Sequence, residues 1–312
     1  MASTTVAVVP TWGHRDHLER FLPTLLEQTL PFARVVIVGD RGNETVVGGD
    51  PRVELRTTPD NRGFAGAVNR GIEHAFSEKA VDMVAVINDD VSLDLEWHAH
   101  ADQAIRLHPG YGSCATCLLQ LEQPEKVASA GIDWHPSGFA RELLNGGPPP
   151  PATLPPREVW GASASAALFR RELFDSVGKF DESYFAYQED VELALRARRG
   201  GWKCVMAPAA RGLHLGFGSN RPFPVGGSYA DFFNARNRLV LLVTTLPADD
   251  WRRHWRKMLV AQLRLLTTSL PEGRAGAVWA GVLHGLCRVP RALRARRQEL
   301  DAFPPTTERG CS

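Results

Sequence analysis

Over the first ninety residues, short unbroken apolar runs alternate with longer amphipathic stretches. Residues 6–9 (VAVV), 35–38 (VVIV) and 83–87 (MVAVI) are continuous apolar segments. They are too short for buried helices and lack the alternation of a half-exposed strand, so they predict strands covered on both faces. Between the first two, Leu18, Phe21, Leu22, Leu25 and Leu26 recur at helical spacing. Residues 53–56 predict a further strand, and 61–71 a loop entering a helix. Strands alternating with helices predict an α/β domain with a mostly parallel sheet. Ligands of such sheets bind outside the carboxyl ends of the strands. Thr11, Asp40 and Asp90 all follow predicted strands, so they are expected along one edge.

The pattern is less regular further on. Residues 97–108 read as a helix, whereas 113–134 show no clear period. The proline-rich stretch 146–156 excludes regular helix or central strand. It is a loop, either a lid beside a site or a plain surface connection. Residues 160–169 (WGASASAALF) are small and then apolar, which would let a ligand approach the backbone. After a predicted helix at 170–177 comes YFAYQEDVEL at 184–193, in which the aromatics Tyr184, Phe185 and Tyr187 precede Glu189, Asp190 and Glu192. Carboxylates in a first helical turn are stabilised by the free N–H groups there. The alternative is that one of them is held as a general base. Residues 204–206 predict a short strand, and His214 falls in a glycine-rich loop at 213–219.

From residue 229 the character changes. Residues 231–243 read as a helix, and 251–297 carry 11 Lys/Arg against one acid, Glu272. Trp251, Trp255, Met258, Leu259 and Leu263 can share one helical face. Basic helices with an apolar face resemble membrane-surface elements, which anionic headgroups attract. Helices packed on the domain with solvated arginines are the alternative.

Composition narrows the picture. With 312 residues, 44% apolar, 23% charged and a net charge of +1, the chain suits one large globular α/β domain with additions. It has no overall pull towards nucleic acid. The N-terminus lacks a basic n-region, so no signal peptide is expected. No apolar run reaches the ~18 residues of a membrane span. Five scattered cysteines fit a reducing cytoplasm. Cys114 and Cys117 form a single CxxC and read as core thiols.

Asn88-Asp89-Asp90 ends a buried strand. A carboxylate there can hold Mg²⁺ or Mn²⁺, with diphosphate oxygens and water completing the shell. The same triplet is also an ordinary polar turn. His214 could join such an ion if the fold brings it close, since Mn²⁺ accepts imidazole. Residues 61–71 have the spacing GxxGxxxxG rather than GxGxxG, so no dinucleotide fingerprint is supported. Gly63 and Gly66 permit close backbone approach, and Asn61 and Asn69 offer amide donors and acceptors.

Taken in order, these pieces resemble the family 2 glycosyltransferases, especially the rhamnosyltransferase-like branch. The matching residues are Val8-Val9-Pro10-Thr11 with Arg15, residues 61–69, Asn88-Asp89-Asp90, Trp160-Gly161-Ala162, residues 177–182 leading to Glu189-Asp190, and the loop with His214 and Ser219. They span roughly residues 5–220. The resemblance implies a GT-A fold: a Rossmann-like nucleotide-diphospho-sugar transferase domain over 1–228, with a nucleotide half near 1–110 and an acceptor half near 111–228. A basic helical extension would cover 229–312. It implies that Pro10, Thr11, Arg15, Asp40, Asn61, Gly63, Asn69, Asn88 and Asp89 border the nucleotide. Asp90 and His214 would hold the divalent ion, and Trp160 and Gly161 would face sugar or acceptor. Asp190 would be the base and Glu189 its orienting neighbour. Gly39 stands where the family has an Asp, and Asn88 where it has the first Asp of its metal motif. The implied activity is inverting transfer from dTDP-rhamnose or a UDP-sugar to a glycan, lipid-linked or small-molecule acceptor. The implied place is the cytoplasm or the inner membrane face. A sugar-nucleotide pyrophosphorylase would want a glycine-rich basic loop where residues 10–15 stand. A degenerate membrane scaffold rests on Gly39 and Asn88 alone.

Overall fold

In the computed structural model, residues 4–12, 15–39, 49–58, 60–216, 221–246 and 248–302 are described. The chain divides into two compact units, Met1–His135 with Ala140–Gly218, and Pro136–Phe139 with Ser219–Ser312.

The first unit is built on one sheet. Its early strands are β1 (Thr5–Pro10), β2 (Arg34–Gly39), β3 (Val53–Thr57), β4 (Met83–Ile87) and the short β5 (Val91–Leu93). The helices α1 (Arg15–Leu26), α2 (Gly63–Phe76) and α3 (Trp97–Arg106) alternate with them. The later strands are β6 (Tyr111–Gln120), β7 (Val127–Ser129), β10 (Arg157–Val159), β11 (Ala166–Arg170) and β12 (Lys203–His214), with helix α4 (Arg171–Val177) directly after β11. A separate ribbon pairs β8 (Ile132–His135) with β9 (Phe139–Glu142). The sheet order is β10-β12-β6-β11-β4-β1-β2-β3. It is parallel from β4 to β3, and antiparallel β11 separates that block from the parallel pair β6 and β12.

The unbroken apolar runs follow from cover on both faces. Val6, Val8, Val36 and Val38 pack with Val68 and Ile72 of α2. Their alternate neighbours Ala7, Val9, Val35 and Ile37 pack with Leu18 and Leu22 of α1 and with Trp97. Each Val, Leu or Ile side chain contributes about 1.5–3 kcal/mol on burial, which keeps the centres of these strands apolar, with the buried Thr5 at the start of β1. The segment that lacked a period, 113–134, is largely β6, β7 and part of β8. Ser113 and Thr116 interrupt the apolar pattern of β6, yet both are buried, and Thr116 Oγ1 satisfies itself by donating to the Ala166 carbonyl at 2.8 Å.

His214 is corrected by the structure: it ends a twelve-residue strand instead of lying in a loop. Residues 207–212 (APAARG) have weak strand propensity, and the register slips between Ala207 and Arg211. Pairing with β6 and with Val91 of β5 nevertheless carries β12 to His214.

The second unit contains α6 (Tyr229–Thr244), α7 (Ala248–Thr268) and α8 (Ala275–Ala302). Ser228 and Asp231 form a reciprocal capping box that starts α6. At Gly281, an added Cβ would come within 2.4 Å of the Phe232 carbonyl, so α6 and α8 approach closely there. Met258 is buried, whereas Trp251, Trp255, Leu259 and Leu263 remain exposed along α7. Trp279, Leu283, Leu286 and Leu293 form a second exposed row on α8. Among the described residues, no helix is long and apolar enough to cross a membrane.

Candidate active site

Three consecutive small residues, Ser163-Ala164-Ser165, connect the acidic groups of the first unit. They lie just before β11. The Ser165 carbonyl accepts the Asn88 N–H at 2.8 Å. The Ala164 N–H donates to Asp190 Oδ2 at 3.2 Å. Ser163 Oγ donates to Glu142 Oε1 at 3.0 Å. Sheet topology makes this convergence: antiparallel β11 begins beside the carboxyl end of β4, with Ala166 opposite Ile87.

On the β4 side, Asp89 and Asp90 point to different partners. Thr11 Oγ1 donates to Asp89 Oδ2 at 2.5 Å, and His17 Nδ1 lies 3.9 Å from Asp89 Oδ1. Asp90, only 5% exposed, lies 3.2 Å from His214 Nε2 and accepts the Gly216 N–H at 3.2 Å. Burial alone would raise its pKa. The His214 hydrogen bond and charge, the Gly216 N–H and the nearby His17 outweigh that, and the net shift is downward. Asn88 Oδ1 is buried without a hydrogen-bond partner. Thr11, Asn88, Asp89, Asp90 and His214 thus belong to one neighbourhood. Among the described residues no group of three His, Cys, Asp or Glu side chains could hold a metal ion. Asp90 and His214 are two donors of the right chemistry, and they fit an ion that takes its other ligands from diphosphate and water.

The second acidic group sits on α5 (Glu189–Arg199), after a 3₁₀ turn at Glu182–Tyr184. The chain entering α5 is strained. Phe185, Tyr187 and Gln188 all have positive φ, at 65°, 69° and 69°, and each such non-glycine residue costs on the order of 1–3 kcal/mol. Packing imposes this path. Tyr184 is fully buried, and the Phe185 carbonyl accepts the Ala65 N–H at 3.2 Å. A Cβ on Gly63 would stand 2.2 Å from that carbonyl, so only glycine lets the loop pass. Asn69 spends both ends of its amide on the Phe180 backbone, with bonds of 2.8 and 3.1 Å. Gly63 and Asn69, expected beside the nucleotide, are therefore seen shaping the loop that delivers Glu189 and Asp190.

Asp190 is half-buried and accepts the Ala164 and Val191 N–H groups. Desolvation nevertheless raises its pKa. Glu189 is only 6% exposed, and its Oε2 has no hydrogen-bond partner. Burial and the Asp190 charge push Glu189 up as well.

Glu142 was not singled out in the sequence. It ends β9, is open to solvent on one side, and accepts from the hydroxyls of both Ser129 and Ser163. Desolvation by the surrounding protein and the charge of Asp190 push it up to about 7, against the lowering effect of the two serines and His214. Its only sequence signal is an acid in a weak ARE strand end, which is indistinguishable from a surface position.

The remaining expected residues fall nearby or at the margin. Pro10 ends β1 and is buried. Arg15 is exposed and paired with Glu19 at 2.7 Å. Asn61 Oδ1 accepts the Gly63 N–H at 2.9 Å. Gly161 bridges to Ile132. Trp160 stacks on Trp134 with ring centroids 5.2 Å apart, and Arg198 of α5 lies over its ring at 5.8 Å. Asp40 and Ser219 lie outside the described residues.

Residues 3–259 match the family described as Glycosyltransferase like family 2. An N-acetylglucosaminyl-diphospho-decaprenol L-rhamnosyltransferase of Mycobacterium tuberculosis is 32% identical over 247 residues, covering 69% of this chain and 76% of that protein. The O-antigen biosynthesis protein RfbC of Myxococcus xanthus is 27% identical over 230 residues, 69% of this chain and 17% of its own length. Among solved structures, a mannosyltransferase from Pyrobaculum calidifontis in complex with GDP-Man and Mn²⁺ superposes with a TM-score of 0.55 at 18% identity, over 98% of this chain and 82% of that one. GalNAc-T7 with UDP, GalNAc and Mn²⁺ gives 0.62 at 15% identity, over 97% and 59%.

Proposed function

The chain belongs to the Glycosyltransferase like family 2, is a glycosyltransferase of GT-A fold in the rhamnosyltransferase-like branch, and on that premise we propose that it performs inverting, single-displacement transfer from dTDP-rhamnose or a UDP-sugar. The acceptor is a hydroxyl of a glycan, of a lipid-linked saccharide or of a natural product. The observation that carries this reading is the placing of Asp190: half-buried, held by two backbone N–H groups, and joined through residues 163–165 to the strand end bearing Asn88, Asp89 and Asp90.

In this reading the acceptor oxygen attacks the anomeric carbon, the bond from that carbon to the diphosphate oxygen breaks, and Asp190 takes the acceptor's proton. A carboxylate whose pKa is raised by desolvation is a stronger base for that proton than an exposed one. Glu189, buried beside it, fixes its surroundings. Asp90 and His214 would hold a divalent ion, which would supply charge neutralisation at the diphosphate. Thr11, Asn88 and Asp89 border the nucleotide, and Arg15, Asp40 and Asn61 extend that border. Residues 1–228 carry the transfer and 229–312 form the extension. The lipid-linked acceptor in the name of the mycobacterial relative, together with the exposed rows of α7 and α8, supports work at an anionic membrane surface on its cytoplasmic face.

The test is a donor screen. Purified protein with Mg²⁺ or Mn²⁺ is mixed with dTDP-, UDP- and GDP-sugars, following thermal stabilisation and nucleotide diphosphate release. Metal-dependent stabilisation by one nucleotide series is expected. No response to any series would remove the transfer reading and favour a scaffold.

A further inference from the structure

Two carboxylates flank one two-residue stretch of backbone. Ser163 holds Glu142 through its hydroxyl, and the next residue, Ala164, holds Asp190 through its N–H. Glu142 is fixed as firmly as Asp190. Both of its oxygens accept from serines that are 3% and 4% exposed. The backbone on its far side is pinned by Leu143, which donates to the Gly131 carbonyl at 2.7 Å and accepts from Ala130 at 3.0 Å. Two buried hydroxyls on one carboxylate are more than a surface glutamate needs. Glu142 as a residue is exposed, and each carboxylate oxygen can accept more than the one serine bond it holds. Next to Asp190 in the chain, the Oε2 of Glu189 is buried with no partner, a carboxylate oxygen that protein groups leave unsatisfied.

We propose that Glu142 is an acceptor-binding residue: it takes a hydrogen bond from a hydroxyl adjacent to the one Asp190 deprotonates, so the acceptor presents two neighbouring hydroxyls, as a sugar ring does. This rests on the transfer reading above and deepens it. An acceptor with an isolated hydroxyl would satisfy Asp190 and leave Glu142 facing nothing.

The test uses the full chain, dTDP-rhamnose with Mn²⁺ as donor probe, and a synthetic N-acetylglucosaminyl diphosphate lipid as acceptor probe, together with analogues deoxygenated at each hydroxyl in turn. Glu142→Gln keeps the shape of the side chain, and Ser163→Ala loosens it without removing the charge. Thermal unfolding establishes that both variants fold. In Glu142→Gln, dTDP affinity and acceptor-independent cleavage of the donor should stay within about twofold of wild type. The acceptor KM should rise by roughly 10- to 100-fold, the range for a lost hydrogen bond to a charged group. Removing one particular neighbouring hydroxyl should weaken the wild-type enzyme by a similar factor and the Glu142→Gln enzyme hardly at all. Ser163→Ala should give a smaller rise in acceptor KM alone. Equal sensitivity of wild type and Glu142→Gln to every deoxygenated acceptor would overturn the proposal, as would a loss of dTDP affinity matching the loss for acceptor. If wild type neither binds dTDP nor cleaves the donor, the transfer reading itself falls with this donor, an outcome distinct from any effect of Glu142.

Discussion

The two acidic groups at the sheet edge are close in sequence character and opposite in environment. Asp90 is buried but richly partnered, with His214 and the Gly216 N–H on its two oxygens, and its pKa is driven down. In Glu189, Asp190 and Glu142 desolvation outweighs the N–H and hydroxyl bonds that Asp190 and Glu142 accept, and the pKa values are driven up. Carboxylates whose surroundings push their titrations apart are suited to different tasks. The first group is built to remain an anion, as a cation ligand must. The second is built to hold a proton more readily than an exposed carboxylate does. The strain before α5 belongs with the second group, because three positive-φ residues are tolerated only where surrounding packing leaves no other path.

The largest effect that would break this contrast is loss of the base. Asp190→Asn should reduce transfer by about 10²- to 10⁴-fold, the usual share of general-base catalysis, measured as initial rates with saturating donor. Near-normal turnover would assign the base elsewhere. Asp90→Ala should cost roughly 10²-fold in transfer, most of it through weaker metal-dependent donor binding. Full activity after exhaustive chelation would remove the ion from the account. Gly63→Ala forces a Cβ into the Phe185 carbonyl and should displace the strained loop. A shift of about 1 Å at the base is worth on the order of 10²-fold, and nucleotide affinity should change little.

A smaller effect concerns stability. The second group has folded pKa values above those of exposed carboxylates, so the folded state holds more protons than the unfolded state as the pH climbs. For the buried Glu189, stability is then fully present below about pH 4.5 and is lost as pH rises through about 8. Glu189→Gln removes the buried charge, and should raise the melting temperature at about pH 8 by about 2–4 °C, the shift that ~1 kcal/mol produces in a domain of this size. At about pH 5 the gain should vanish. An equal gain at both values would mean that the charge is not its source. For the second unit, Trp255→Glu and Leu283→Glu should abolish cosedimentation with anionic liposomes and leave transfer to a water-soluble acceptor unchanged. Binding that survives both changes would deny the exposed rows a role at lipid.

What was legible in the sequence followed one physical rule. Strands β1, β2 and β4 are covered on both faces, so their central residues are apolar and the polar residues that follow them stand out, which drew Thr11 and Asp90 forward. Glu189 and Asp190 were visible because carboxylates crowd the start of a helix. Glu142 was invisible, because its importance comes from Ser129 and Ser163, distant in sequence and ordinary in type. The roles of Gly63 and Asn69 were also hidden. Both read as ligand contacts in the sequence, and the structure adds that each meets the 180–185 segment, a partner more than a hundred residues away. His214 was found as a residue and misplaced as an element, since sheet pairing carries β12 through a stretch with little strand propensity of its own.

The most direct test of the division between the two acidic groups is calorimetric. Nucleotide diphosphate is titrated, with and without Mn²⁺, into wild type, Asp90→Ala and Asp190→Asn in parallel. The account predicts that Asp190→Asn binds as wild type does and keeps the full metal dependence, while Asp90→Ala loses it. If both variants lost metal-dependent binding equally, or neither did, the separation of an ion-holding group from a proton-accepting group would be contradicted.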